Sequence, residues 1–290
     1  DRIASAVLLA FASVLLLLAL AHRAEAKARK VVIVPGILGS KLCDANGAVL
    51  WGDRLSYTAA RLTALRLPPD PANREMSIHS CGLIETVNVV PLLWQSHIYA
   101  PLLSFLKLRG YEGPNVIIAH YDWRLSNYES AKRLKAAIDA SVAPGETVDV
   151  LAHSMGGLVT RIYMQELGGS ARINSVTFLG TPHRGSAKVF RELRDGFEHW
   201  PSGLSGGLDA IKATILSFPS TYQLLPTYDS CCAFAATVDP TGATYFDVLD
   251  PAAWTRFTWL PPSFRTGPDQ AGLITKLEEA RRLRQLMVSE

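Results

Sequence analysis

The stretch Ala152-His153-Ser154-Met155-Gly156 is the most informative part of this sequence. It follows a short apolar run at 148–151 and opens a segment, 158–167, whose apolar residues recur at helical spacing. A strand, a sharp turn and a helix are therefore predicted in immediate succession. A serine on such a turn is typical of a nucleophile elbow, in which the turn lifts the hydroxyl clear of the sheet edge.

The residue types around Ser154 fit that interpretation. A serine hydroxyl is a weak nucleophile that needs a neighbouring base, and small residues must flank it because strand and helix approach closely. Gly156 and Gly157 meet this requirement, whereas Ala152 stands where glycine is usual. His153 is a poor base, because adjacent residues on a strand point to opposite faces. The alternative is an ordinary solvent-facing serine before a core helix.

Composition places the chain among ordinary packed proteins. Its 290 residues are 48% hydrophobic and 19% charged, which suits one large domain or a domain with an inserted cap. The net charge of +3, without a basic cluster, argues against nucleic acid as a partner.

The N-terminal residues have the pattern of a secretory signal peptide. Arg2 precedes an apolar stretch at 4–21, and Ala24-Glu25-Ala26 follows as a small-x-small cleavage pattern. We therefore expect a signal peptide at 1–26, and the alternative is an uncleaved membrane anchor formed by 4–21. Either interpretation predicts a catalytic body outside the cytoplasm, secreted or periplasmic.

Four cysteines fit an oxidising compartment without proving a disulfide. Cys43 and Cys81 flank a polar loop that they could close, whereas the adjacent Cys231 and Cys232 could pair only with strain. Four cysteines allow three disulfide connectivities, and the sequence does not select one of them. His79 lies near Cys81, but no second pair has zinc-site spacing, so neither a metal nor another cofactor is expected.

Apolar runs alternate with helical patterns up to about residue 186. The predicted strands are 30–34, 115–119, 147–151 and 173–179, and the predicted helices besides that after Ser154 are 98–108 and 128–138. This alternation predicts an α/β fold with a parallel sheet and crossover helices. Catalytic residues are expected at the carboxyl ends of the strands, in the loops 35–40, 120–124 and 152–156 and in the loop after Leu179.

Three further segments complete the predicted organisation. Within a core domain at 27–186, residues 41 to about 95 are expected to be irregular, and so long a loop is usually functional, such as a lid. The aromatic-rich residues 187–265 are predicted to form an inserted cap, and an ordinary aromatic core is the alternative. Residues 266–290 are predicted to form an amphipathic helix.

An ordered set of motifs resembles the lecithin:cholesterol acyltransferase family of the α/β-hydrolases. The matching segments are Val34-Pro35-Gly36-Ile37-Leu38-Gly39-Ser40, Tyr121-Asp122-Trp123-Arg124, the elbow with Gly157, Gly180-Thr181-Pro182-His183-Arg184-Gly185-Ser186, and the cap-like 219–226. The resemblance covers about residues 30–262. The elbow alone is shared by many hydrolases, whereas the ordered set is specific. His120 stands where the family often has proline.

The resemblance assigns roles to five residues. Ser154 would be the nucleophile that accepts the acyl group. The backbone N–H groups of Ile37 and Met155 would form the oxyanion hole, and Met155 directly follows the nucleophile as such a donor must. Asp122 and Arg124 would be a charge pair that supports the site, with an exposed pair of little energetic value as the alternative.

The resemblance also concerns the segment 41–95 and the substrate. The segment would be a lid, with a disulfide between Cys43 and Cys81 as a possible clamp. Trp51 would contact lipid if it is exposed, or else belong to the core. A lipid or membrane-surface substrate is implied.

No histidine occupies the position along the chain where the fold requires a catalytic base. In this fold the order along the chain is serine, acid, histidine, and the histidines after Ser154 are His183 and His199. Neither follows a late strand, so the family's acid and base would lie beyond Glu290. We therefore expect an incomplete copy without its C-terminal strands. The alternatives are a degenerate enzyme that ends here and the recruitment of His183 or His199.

Three functions are compatible with these features. The first is a secreted serine lipid acyltransferase or acyl hydrolase, which acts on phospholipid or glycerolipid esters through an acyl-serine intermediate. The second is a non-catalytic lipid-binding protein on a hydrolase scaffold. The third is an esterase for small soluble esters.

Overall fold

A computed structural model describes residues 29–53, 56, 58–70, 77–90, 94–195, 208–228, 231–232, 245–256 and 260–288. The predicted signal peptide or anchor at 1–26 lies outside these ranges. Within them, no helix is long and apolar enough to cross a membrane.

The described residues form nine β-strands and nine α-helices. The strands are β1 (Val31–Val34), β2 (Ser40–Cys43), β3 (Val49–Trp51), β4 (His79–Leu83), β5 (Thr86–Val90), β6 (Trp94–His97), β7 (Val116–Ile118), β8 (Val148–His153) and β9 (Ile173–Leu179). The helices are α1 (Ala59–Ala64), α2 (Ala100–Leu108), α3 (Asn127–Ser141), α4 (Met155–Glu166), α5 (Ala187–Asp195), α6 (Leu208–Leu216), α7 (Pro219–Tyr222), α8 (Pro251–Arg256) and α9 (Gly267–Val288).

A parallel sheet with the strand order β7-β1-β8-β9 forms the centre of the fold. Val32 on β1 is in register with Ile117 on one side and Val150 on the other, and Val150 is in turn in register with Val176. The predicted parallel α/β architecture is confirmed. All four carboxyl ends lie at one edge of the sheet, which brings the loops after β1, β7, β8 and β9 together.

Alternation along β1 explains why helices cover both faces of the sheet. Val32 and Val34 pack in the main core cluster, which also contains buried residues of α3 and α4. Val31 and Ile33 point to the other face and pack with Leu106 of α2. Side chains of successive strand residues alternate between faces, so an uninterrupted apolar run is what a strand covered on both sides requires.

The segment 41–95 is not the irregular loop that its sequence predicts. Its strands β3, β2 and β4 form an antiparallel sheet in that order, and β5 and β6 form a separate hairpin. A disulfide joins Cys43 on β2 to Cys81 on β4. These strands are only three to five residues long. Such short runs give little periodic signal in the sequence, and pairing with neighbouring strands stabilises them. A lid function for this segment stays a prediction.

Helices replace strands after residue 186 in the described part of the chain. Tyr222 and Trp254 are buried in the main core cluster together with Phe190, as an aromatic core requires. Whether 187–265 is an inserted cap stays a prediction, and the aromatic residues Trp200, Phe257 and Trp259 lie outside the described residues.

The predicted C-terminal helix is present as α9. Its buried face consists of Leu273, Leu277, Ala280 and Leu283, which recur at the spacing of one helical face. An ion pair of 2.5 Å between Arg66 and Asp269 joins the start of α9 to the segment after α1.

We expect removal of the Cys43–Cys81 disulfide, by serine at both positions, to lower the free energy of unfolding by about 2–5 kcal/mol. The bond closes a loop with a sequence separation of 38 residues, which restricts the unfolded chain. Chemical denaturation followed by circular dichroism measures the change.

The matched control replaces Cys231 and Cys232, which are adjacent and also form a disulfide. Because that bond encloses no long loop, its removal should cost much less. Equal losses for the two double variants would contradict this account.

Candidate active site

Ser154 lies on a strained turn between β8 and α4. Its backbone has φ 51° and ψ −124°, and Leu38 and Ser154 are the only described residues other than glycine with positive φ. The Ser154 N–H donates to the carbonyl of Leu179 at 2.9 Å, and the Ser154 carbonyl accepts from the N–H of Gly157 at 3.0 Å. Such strain persists only where the surroundings impose it, and it is concentrated at functional sites.

Close backbone contacts impose this turn. A Cβ atom on Gly156 would lie 2.6 Å from the carbonyl oxygen of Pro35 and would also collide with that of Val34. A Cβ atom on Gly36 would lie 2.8 Å from the Cβ of Ser154. The loop after β1 is therefore in van der Waals contact with the elbow, and glycine is required at both positions.

The loop after β1 forms a type II turn. The Gly39 N–H donates to the Gly36 carbonyl at 3.1 Å, and Leu38 has φ 63° while Ile37 does not have positive φ. A positive φ at the third residue alone defines this turn type. Ile37 therefore occupies its second position.

Four aromatic side chains hold the same loop. The Tyr121 hydroxyl donates to the Pro35 carbonyl at 2.6 Å, and the Trp51 indole N–H donates to the Leu38 carbonyl at 3.0 Å. The Trp123 indole N–H donates to the Ser40 carbonyl at 3.1 Å, and the Gly36 N–H donates to the Tyr99 hydroxyl at 2.8 Å. Trp51 is buried and its ring contacts Trp123, so it belongs to the core.

Backbone N–H groups without hydrogen-bond partners lie beside Ser154. The backbone of Ile37 makes no hydrogen bond to any described residue. Met155 is the first residue of α4, so its N–H has no acceptor within the helix. The helix N-terminus also favours negative charge. These are the two donors that the resemblance implies for the oxyanion hole.

Asp122 and Arg124 form a buried ion pair. The guanidinium donates to both carboxylate oxygens, at 2.9 and 2.6 Å, and a third N–H donates to the Leu65 carbonyl at 2.9 Å. Their side chains are 9% and 4% exposed, so the alternative of an exposed pair is wrong. Through its bond to the Leu65 carbonyl, Arg124 joins the loop after β7 to the end of α1.

The described histidines do not assemble a triad with Ser154. The Ser154 hydroxyl makes no hydrogen bond to any described residue. His183 has a buried Nδ1 without a partner and packs against the Phe178 ring, and burial lowers its pKa. His153 is bound to Tyr99 instead, with 2.8 Å between its Nδ1 and the hydroxyl oxygen. His199 lies outside the described residues.

A cavity of about 210 Å³ opens beside the elbow. Ile37, Trp51, Ile98, Tyr99 and His153 are among the residues that line it, so its wall is mostly apolar. This wall is close to the proposed nucleophile, because His153 directly precedes Ser154.

A larger cavity of about 550 Å³ lies between β4, the end of β7 and α3, where His79, His120 and Arg133 line it. Its lining does not include the loop after β1, whereas Ile37 of that loop and His153 line the smaller cavity, so the smaller cavity is the better candidate for a substrate. The described residues contain no cluster of side chains suited to a metal ion.

The fold and the elbow place this chain in the α/β-hydrolase class. The family model described as lecithin:cholesterol acyltransferase matches residues 83–243, which is more than half of the chain. The chain therefore belongs to the lecithin:cholesterol acyltransferase family, as its motifs predict.

Two individual proteins are similar to this chain. A putative phospholipid:diacylglycerol acyltransferase 2 from Arabidopsis thaliana is 31% identical over 156 residues, which cover 44% of this chain and 22% of that protein. The chain thus spans about a fifth of that relative's length. A chain of the Tle4–Tli4 complex, known from its crystal structure, superposes on this chain with a TM-score of 0.64 at 17% sequence identity. The match covers 89% of this chain and 72% of that chain. At that identity the likeness concerns the fold alone.

The loops of the site were predictable from the sequence, but the side chains that brace them were not. Trp51 lies in a segment that was expected to be irregular, and Tyr99 lies at the start of a predicted helix, where its sequence gives no sign of a contact with the loop after β1. An aromatic donor far away in sequence leaves no local pattern.

We expect Gly156→Ala to destabilise the protein by about 1–3 kcal/mol, because the added methyl group would meet two fixed carbonyl oxygens. The matched control is Gly272→Ala in α9, where an added Cβ would lie 3.3 Å from the Lys276 ammonium and 3.4 Å from the Pro69 carbonyl oxygen. Because no atom is closer than that, this change should cost much less than Gly156→Ala. Urea unfolding of both variants measures the difference, and equal losses of stability would contradict the close contact at Gly156.

Proposed function

We propose that this protein is a serine-dependent lipid acyl hydrolase or acyltransferase. The observation that carries the proposal is Ser154 on its strained turn, with the Ile37 and Met155 N–H groups left without partners beside it. In this mechanism the Ser154 oxygen attacks the ester carbonyl, and the acyl group is transferred to serine as the alcohol leaves. Water or an acceptor alcohol then takes the acyl group from the serine.

The two free N–H groups would stabilise the tetrahedral intermediate. Negative charge develops on the carbonyl oxygen as the serine attacks, and donors that are already oriented stabilise it without reorganisation. The hydrogen bonds that hold the loop after β1 on both sides of Ile37 would provide this orientation.

Lipid as the substrate class is supported by family membership and by the cavity. The cavity beside the elbow presents apolar side chains such as Ile37, Ile98 and Trp51. An acyl chain matches such a wall, because its burial there removes apolar surface from water. Esters with short acyl chains would bury less apolar surface in this cavity, which favours a lipid enzyme over an esterase for small esters.

We also propose that the protein acts outside the cytoplasm. Two disulfides, Cys43–Cys81 and Cys231–Cys232, suit an oxidising compartment. The signal-like pattern at 1–26 supports the same location.

A non-catalytic lipid-binding protein is the second candidate. It is favoured by the Ser154 hydroxyl, which has no hydrogen-bonded histidine among the described residues. Without a base the hydroxyl would be a poor nucleophile, while the apolar cavity would still accept an acyl chain.

A fluorophosphonate probe tests the first candidate. We expect covalent labelling that mass spectrometry locates at Ser154 and that Ser154→Ala abolishes. The control variant Ser170→Ala, which changes an exposed serine after α4, should be labelled like the wild type. Absence of labelling together with retained binding to phospholipid vesicles would favour the second candidate.

The role of Ile37 allows a sharper experiment. Proline suits the second position of a type II turn but has no N–H, so Ile37→Pro removes the donor while preserving the turn. We expect the labelling rate to fall about 10²–10³-fold, as for loss of an oxyanion donor. Ile37→Ala, which keeps the N–H, is the control for loss of the side chain. If the two variants are labelled at similar rates, Ile37 is not an oxyanion donor.

A further inference from the structure

The hydroxyl of Tyr99 connects the two halves of the candidate site. It accepts the Gly36 N–H at 2.8 Å, and it lies 2.8 Å from the Nδ1 of His153. Gly36 belongs to the loop after β1, and His153 precedes the nucleophile on β8. One buried oxygen atom therefore joins the loop that carries Ile37 to the elbow that carries Ser154.

The available donors fix the direction of one of these hydrogen bonds and favour one direction for the other. The Gly36 N–H can only donate, so the Tyr99 oxygen accepts from it. The Tyr99 hydroxyl has no other acceptor among the described residues, so its proton is used only if it is donated to an unprotonated Nδ1 of His153. A neutral imidazole with an unprotonated Nδ1 carries its proton on Nε2. Burial keeps both groups neutral, because it raises the pKa of Tyr99 to about 12 and lowers the pKa of His153.

Tyr99 itself is firmly held. Its side chain is buried, and its ring lies edge-on to the imidazole of His153 at 5.6 Å between centroids. Its backbone N–H donates to the Glu85 carbonyl at 3.1 Å, and its carbonyl accepts from Leu103 in α2 at 3.0 Å. A Cβ atom on Gly39 would lie 2.9 Å from the hydroxyl. The turn is thus wrapped closely around the Tyr99 oxygen.

We propose that Tyr99 is a positioning residue, which fixes the distance between the Ile37 N–H and Ser154 by bridging Gly36 and His153. This role rests on the proposed function, since it concerns the assembly of the oxyanion hole. Tyr99 does not contact the reacting atoms. It acts through the Gly36 peptide, whose neighbour in the chain is the donor Ile37. The same bridge directs the Nε2–H of His153 away from Tyr99, where it is available to a polar group of a bound ester.

Nuclear magnetic resonance tests whether the bridge exists. In the full chain with ¹⁵N-labelled histidine, we expect Nδ1 of His153 to resonate as an unprotonated nitrogen and Nε2 as a protonated one near neutral pH. A His153→Gln variant identifies the signals. The Gly36 amide should exchange slowly with solvent, and Tyr99→Phe should accelerate its exchange about tenfold or more because the acceptor is lost. The opposite tautomer, or unchanged exchange, overturns the proposal.

Labelling kinetics test the positioning role. Tyr99→Phe should lower the first-order rate of phosphonylation of Ser154 about tenfold, the effect of one hydrogen bond expressed in the transition state. The probe concentration at half-maximal rate should change little, because the binding cavity is kept. The control Tyr222→Phe removes a buried hydroxyl that donates to Leu216, far from the site in sequence, and should retain the wild-type rate. If Tyr99 only stabilised the fold, its substitution would not lower the phosphonylation rate while leaving the probe concentration at half-maximal rate unchanged.

A second pair of variants keeps the test decisive if Tyr99→Phe fails to fold. His153→Gln retains a side-chain acceptor for the Tyr99 hydroxyl, whereas His153→Leu does not. We expect the glutamine variant to be labelled faster than the leucine variant. Equal rates overturn the positioning role alone, whereas a wild-type protein that is not labelled at Ser154 overturns the proposed function and the positioning role with it.

Discussion

The close contact between the loop after β1 and the start of α4 is the constraint on which the rest of the site depends. Gly156 lies directly against the carbonyl oxygens of Val34 and Pro35, where no side chain fits. This contact brings the helix N-terminus over the end of the central strand and forces Ser154 into its strained conformation. Backbone atoms at the centre of a parallel sheet cannot yield cheaply, because neighbouring strands hold them on both sides. Ser154 is therefore placed by main-chain packing.

The loop after β1 is rigid for a different reason. Aromatic side chains from distant parts of the chain, Tyr99, Tyr121, Trp51 and Trp123, each bond to one of its backbone groups. Buried polar backbone groups require partners, and these side chains supply four of them, while the Gly36 carbonyl accepts from Gly39 and the Gly39 carbonyl accepts from Ile84. The N–H groups of Ile37 and Leu38 make no hydrogen bond to a described residue. A loop that is fixed on both sides of a free donor suits the electrostatic stabilisation of a transition state.

The parts of the structure that the sequence predicted well are those with local causes. The apolar runs of β1 and β8 and the periodic residues of α9 were recognisable because burial on one or both faces leaves a periodic pattern. The segment 41–95 was expected to be irregular and instead contains β2 to β6, since its short strands are stabilised by pairing and by the Cys43–Cys81 disulfide. The burial of Asp122 and Arg124 could not be predicted from the sequence either, because it depends on which other segments of the chain pack over the two side chains.

The sequence by itself determined the elbow, the alternation of strands and helices around the central parallel sheet, and the family. Those features depend on residue types at fixed short spacings, such as glycines two and three positions after Ser154. Only the tertiary structure decided that Tyr99 lies between Gly36 and His153, that Trp51 belongs to the core, and that Ile37 is left with a free N–H. These facts concern residues separated by tens of positions, which are brought together by the parallel sheet. A hydrogen bond across such a separation imposes no periodicity on the sequence, so it becomes visible only when the strands are placed side by side.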